Sequence, residues 1–95
     1  MGFLERIENT KTQANEVAIV WLGQAGFLLK HAGKIIAIDP YLSDYAYDSL
    51  VHFFGQAFKR VSMPPCDAQE LPFDAMLISH EHSDHLDLYS MRDFV

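Results

Sequence analysis

The chain is expected to be an α/β (α+β) protein. Short β-branched apolar runs alternate with glycine-containing turns. An aromatic-rich stretch interrupts them, and the last apolar run leads straight into a loop dense in histidine and aspartate. At 95 residues, with 49% hydrophobic and 21% charged, the balance is globular and the size suits one small domain or part of a larger one.

The elements follow in order. Residues 3–13 read as a short helix with Leu4 and Ile7 on one side. Residues 17–22 (Val-Ala-Ile-Val-Trp-Leu) read as a strand buried on both faces, because the run is apolar without alternation. Two glycines three apart, Gly23 and Gly26, mark a turn. Residues 27–30 form a second strand, 31–34 a turn, and 35–39 a third strand that Pro40 stops. Residues 41–73 then make an aromatic insert, with Tyr41, Tyr45, Tyr47, Phe53, Phe54 and Phe58 close together. Leu50, Phe54 and Phe58 recur every fourth residue, which predicts an amphipathic helix over 48–60, broken by Pro64-Pro65. The insert enters after Asp39-Pro40 and returns before the histidine loop, so residues 41–58 are expected to cover that edge. Residues 74–79 form another short buried strand, and 80–86 a polar loop. Asp87 is the N-cap of a helix that sets Leu88, Met91 and Val95 on one face. Four strands apolar on both faces need two covering layers, more than these short helices supply, so the chain is expected to be part of a larger domain.

Composition narrows the function. Seven Lys and Arg against 13 Asp and Glu give a net charge of -6, which weighs against a broad nucleic-acid-binding surface. It does not exclude an anionic small-molecule substrate, since a bound cation would reverse the local field. The start, Met1-Gly2-Phe3-Leu4-Glu5-Arg6, lacks a secretory pattern, and Arg6 stands where a myristoylation motif needs Ser or Thr. No apolar run reaches the roughly 18 residues of a membrane span, so no transmembrane segment is expected. The lone Cys66 has no internal disulfide partner and reads as an incidental thiol, which favours the reducing cytoplasm. Oligomerisation is left open.

The chemistry concentrates in Ser79-His80-Glu81-His82-Ser83-Asp84-His85. Imidazole nitrogen and carboxylate oxygen are ligands that zinc accepts at about 2.0–2.2 Å. A regular strand would send His85 away from His80, His82 and Asp84, so the segment is expected to be a loop around two divalent ions. His80 and His82 would hold one ion, Asp84 and His85 the other. A solvated His-rich surface loop is the bland alternative, and three of the five histidines within six residues speak against it. His31 and His52 stand alone and read as ordinary turn or surface residues.

His-x-His-x-Asp-His after an apolar strand resembles the signature of the metallo-β-lactamase superfamily. Residues 21–27 (Trp-Leu-Gly-Gln-Ala-Gly-Phe) look like its opening hairpin, and Ile38-Asp39-Pro40 like its short Asp motif. Residues 71–80 and the aromatic insert look most like the branch of the L-ascorbate-6-phosphate lactonases and the N-acyl phosphatidylethanolamine phospholipase D enzymes. The resemblance covers essentially the whole chain. It implies the N-terminal part of an αββα sandwich, two metals (zinc or manganese) on His80, His82, Asp84 and His85, and further ligands from later segments. It implies a hydrolase in which Asp84 also accepts a hydrogen bond from the nucleophile. Asp39 would orient the metal loop, or else be a turn-forming Asp before Pro. A sugar-phosphate lactone is the expected substrate, and a phosphodiester the alternative. A non-catalytic metal-binding or interaction domain and a di-iron redox protein are the rival readings. His82 disfavours the di-iron protein, which resembles His-x-Glu-x-Asp-His. The chain alone is expected to be inactive, since only four ligands are visible.

Overall fold

A computed structural model of the chain describes residues 2–94. It is a mixed α/β structure with one four-stranded sheet in the order β1-β2-β3-β4. β1 is Ala18–Gly23, β2 Gly26–His31, β3 Lys34–Ile38 and β4 Ala75–Leu77. The first three strands are antiparallel neighbours, and β4 joins β3 in parallel. Each antiparallel connection is a tight turn. Between β2 and β3 both central residues, Ala32 and Gly33, have positive φ (50° and 79°), which suits the right-handed twist of paired strands. The parallel pairing needs a long crossover, and residues 39–74 provide it.

Register divides the sheet into two faces. On one lie Val20, Leu28, Ala37 and Met76, one row across all four strands. This face forms the core with Ile7, Ile35, Leu42, Ala68 and Leu71. On the other lie two rows, Ile19-Leu29-Ile36-Ala75 and Trp21-Phe27-Ile38-Leu77. All eight residues are apolar, yet Ile19 is 68% exposed, Trp21 62% and Leu77 57%. The strands at 17–22 and 74–79 are therefore not buried on both faces here. An unbroken apolar run shows that both faces of a strand are oily, not that both are covered. β4 is also shorter than the predicted 74–79, because residues 78 and 79 leave the sheet to start the histidine loop.

The helices depart from expectation where local capping overrides periodicity. α1 spans Phe3–Asn9 and stops short of residue 13, with Ile7 as its buried contact. α2 spans Tyr45–Phe54 rather than 48–60. Gly55, at φ 58°, ends it in the conformation that favours glycine, and Gly55–Phe58 continues as a 3-10 turn. Phe54 and Phe58 meet edge to face at 5.5 Å but stay exposed, so the predicted stripe does not dock. α3 spans Leu88–Asp93, and Asp87 caps it by accepting from the Tyr89 and Ser90 amides. Its buried residue is Ser90, while Leu88 and Met91 are exposed. Val95, the third member of that predicted stripe, lies outside the described residues.

The start of the aromatic insert is core rather than cover. Tyr41 is fully buried, and its hydroxyl accepts a hydrogen bond from the Ala46 amide at 3.1 Å. The Arg60 guanidinium lies 4.8 Å from the Tyr41 ring centre and donates to the Tyr41 carbonyl at 2.7 Å. Cys66 packs against the same core. Burial first, then the Glu70 and Asp67 carboxylates, push its thiol up to about 11, so at neutral pH it is the unreactive protonated form. Among the described residues, no helix is long and apolar enough to cross a membrane.

Candidate metal centre

The histidine loop leaves β4 beside the end of β3, and Asp39 stands between them. The Asp39 amide still donates to the Leu77 carbonyl at 3.0 Å, the last rung of the β3–β4 pairing. Its φ of 44° is uncommon for a residue with a side chain, though Asp enters that region more readily than most. Asp39 is 4% exposed. Its Oδ1 accepts from the Ser79 amide at 2.7 Å, and its Oδ2 from the Ser79 hydroxyl at 2.6 Å and from His85 Nδ1 at 2.8 Å. Burial raises the Asp39 pKa. The Ser79 hydroxyl, His85 and the Ser79 amide outweigh it and hold the carboxyl below its ordinary value. Asp39 is thus an ionised acceptor at neutral pH, gripping both the first and last parts of the loop.

The loop closes on itself because the His82 carbonyl accepts from the amides of His85 and Leu86, at 2.9 and 2.8 Å. That turn brings the imidazoles together. The ring centres of His80 and His82 are 4.6 Å apart, and those of His80 and His85 4.0 Å. His80 Nε2 and His82 Nδ1 stand 3.1 Å apart, and His85 Nε2 is 3.7 Å from Asp84 Oδ1. Two ligands of one tetrahedral ion, bonded at about 2.0–2.2 Å, stand roughly 3.3–3.6 Å apart. Both pairs lie within a few tenths of an ångström of that separation. Among the described residues, no three His, Cys, Asp or Glu side chains are grouped to hold one ion. The donors come as two pairs. His31, the last residue of β2, bonds the Glu16 carbonyl at 2.7 Å, and His52 sits in the last turn of α2; neither belongs to the loop.

Two residues shape this site in ways their local sequence did not reveal. Asp87, read as a helix cap, also accepts from the Leu42 amide at 3.1 Å and the Ser43 hydroxyl at 2.6 Å. It therefore ties the segment after Asp39 to the end of the histidine loop. Gly26, read as a turn residue, matters through close approach. A Cβ there would stand 2.9 Å from the Asp39 carbonyl oxygen and 3.3 Å from Pro40 Cα. Gly26→Ala must displace backbone at Asp39, and is expected to cost about 1–3 kcal/mol. Denaturant melts of the two proteins measure this, and equal midpoints would show that the 39–40 backbone yields freely.

The Beta-lactamase superfamily domain matches residues 18–93. The chain is similar to the mitochondrial N-acyl-phosphatidylethanolamine-hydrolyzing phospholipase D of Saccharomyces cerevisiae, 36% identical over 87 residues, which are 90% of this chain and 17% of that protein. It is similar to N-acyl-phosphatidylethanolamine-hydrolyzing phospholipase D 1 of Caenorhabditis elegans, 40% identical over 68 residues, 70% of this chain and 18% of that protein. A metal-dependent hydrolase of Methanosarcina barkeri is 34% identical over 70 residues, 74% of this chain and 23% of that protein. The chain spans about a fifth of the length of these relatives. With a match from β1 through α3 that takes in the whole histidine loop, the chain belongs to the β-lactamase superfamily.

Proposed function

We propose that this chain is the N-terminal portion of an αββα metallo-hydrolase and supplies His80, His82, Asp84 and His85 to a two-metal centre. The observation that carries the proposal is the pairing of donors. His80 Nε2 with His82 Nδ1, and His85 Nε2 with Asp84 Oδ1, are spaced as ligands of shared ions, while the Nδ1 atoms of His80 and His85 are occupied by Ser79 and Asp39. The nitrogen and oxygen donor set fits zinc or manganese. A similar protein named as a metal-dependent hydrolase supports the same class. The ligands that would complete each ion come, on this reading, from later in the chain.

When bound, a divalent ion would lower the pKa of its water to about 7 and polarise the oxygen of the bond to be cleaved. The chain's own residues do the positioning. Asp39 holds the His85 ring and the start of the loop in one geometry. Asp84 accepts a hydrogen bond from the attacking water through its carboxylate and orients it toward the substrate.

The substrate reading rests on likeness. Two relatives are named for hydrolysing an N-acyl phosphatidylethanolamine, which favours a phosphodiester. A sugar-phosphate lactone, the substrate first expected, keeps only the sequence resemblance behind it. The lone free thiol still favours a cytoplasmic setting. The test is to assay the full-length protein, loaded with Zn²⁺ or Mn²⁺, against a phospholipid phosphodiester and a sugar-phosphate lactone. Hydrolysis of either that falls at least about a hundredfold in His82→Ala supports the proposal. Metal uptake without turnover of any ester would point to the binding domain instead.

A further inference from the structure

We infer that Ser79 is a positioning residue whose hydroxyl relays the Asp39 carboxylate to His80, so that His80 presents an unprotonated Nε2 to a metal ion. The inference deepens the proposed function and rests on it. Proton counting over three contacts leads there. The Ser79 hydroxyl is 2.6 Å from Asp39 Oδ2 and 2.7 Å from His80 Nδ1. An ionised carboxylate only accepts, so the single hydroxyl proton must lie toward Asp39. Turning it toward His80 would leave two bare oxygens facing each other at 2.6 Å. The Ser79 oxygen therefore offers His80 only lone pairs, and the short contact requires the proton on Nδ1. A neutral imidazole carries one N–H, so Nε2 is left as a bare lone pair beside His82 Nδ1, 3.1 Å away. His85 is set the same way without an intermediary, since its Nδ1 meets Asp39 Oδ2 directly at 2.8 Å. One buried carboxylate thus selects the tautomer of two rings, one through a serine and one by contact.

The hydroxyl can be removed without releasing the loop, because the Ser79 amide separately donates to Asp39 Oδ1 at 2.7 Å. The experiment uses the full-length protein with Ser79→Ala and Ser79→Thr. Imidazole ¹⁵N shifts are recorded on the metal-free protein, and Zn²⁺ affinity is measured by competition with a chelator. The unsubstituted protein should show His80 with its proton on Nδ1. Ser79→Ala should move His80 toward the Nε2–H form and weaken Zn²⁺ binding by about 10–100-fold, the usual effect of losing a group that orients a ligand. The His85 shifts and the thermal midpoint should hold, and Ser79→Thr should restore both the tautomer and the affinity. An unchanged tautomer and unchanged affinity in Ser79→Ala would overturn the relay. So would an unsubstituted protein whose His80 already carries its proton on Nε2. Failure of the unsubstituted protein to bind Zn²⁺ would instead sink the metal-site reading, and the metal-free spectra would still decide the relay.

Discussion

Asp87→Ala should destabilise the protein by about 3–5 kcal/mol, the largest loss expected from any single polar substitution in this chain. The carboxylate is 1% exposed and accepts five hydrogen bonds. Oδ1 takes the Ser43 hydroxyl and the Tyr89 and Ser90 amides; Oδ2 takes the Leu42 amide and the Ser90 hydroxyl. Losing the cap alone costs roughly 1 kcal/mol. Beyond the cap, the buried Leu42 amide and Ser90 hydroxyl would each lack a partner at about 1–3 kcal/mol. Native domains hold only about 5–15 kcal/mol in total, so this loss is a large share of it. Asp87→Asn should fall between, since it keeps one acceptor oxygen and turns an amide group toward donors. Urea denaturation of the full-length protein and both variants measures the series. A shift under about 0.5 kcal/mol for Asp87→Ala would mean that water or a local shift replaces the carboxylate.

Asp39 and Asp87 act as a reciprocal clasp. Asp39 ends β3 and holds Ser79 and His85; Asp87 follows the loop and holds Leu42 and Ser43, just after Asp39. Two segments about 45 residues apart in sequence are thereby bonded in both directions. That arrangement fixes the loop by hydrogen bonds from both sides, which suits a segment whose side chains must stay open to ligands.

Much of this was legible beforehand, and most of the misses share a cause. The succession of strands along the chain, both hairpin turns, the histidine loop and the Asp87 cap are encoded within a few residues, where periodicity and turn chemistry operate. The end of α2 was missed although its signal is local: Gly55 stands inside the predicted run of 48–60 and outweighs its four-residue spacing. Gly26, Tyr41 and the long reach of Asp87 were not legible. Each depends on a neighbour many residues away: the Asp39 carbonyl, the Arg60 guanidinium, the Leu42 amide. Among six aromatics in 18 positions, nothing local marks Tyr41 as the one that is fully buried. The Ser79 hydroxyl was visible beside the motif, and its role needed the position of Asp39.

Residues 1–95 expressed alone should bind a hydrophobic dye, self-associate and hydrolyse nothing. The bare sheet face is the reason. Ile19, Trp21, Ile36 and Leu77 stand exposed on it beside Leu29, Phe27 and Ile38, in two rows with no polar residue between them. Burying each large side chain is worth about 1.5–3 kcal/mol, much of which the isolated chain forgoes at these four exposed positions. Contiguous apolar surface of this kind recruits other molecules, and β1 adds an open backbone edge for pairing. In the full-length protein, on our reading, the second sheet of the sandwich covers the face and later segments complete the metal centre. Substitution at the face should therefore change sign with context. Ile19→Lys should make the isolated chain more soluble and less dye-binding, because it breaks an exposed patch. The same change in the full-length protein should destabilise it by about 2–5 kcal/mol, because it buries a charge where an isoleucine packed. Dye fluorescence and sedimentation of the fragment, set against urea melts of the full-length pair, read both arms. A full-length protein indifferent to Ile19→Lys would show that the face stays open in the complete molecule and that no second sheet packs there.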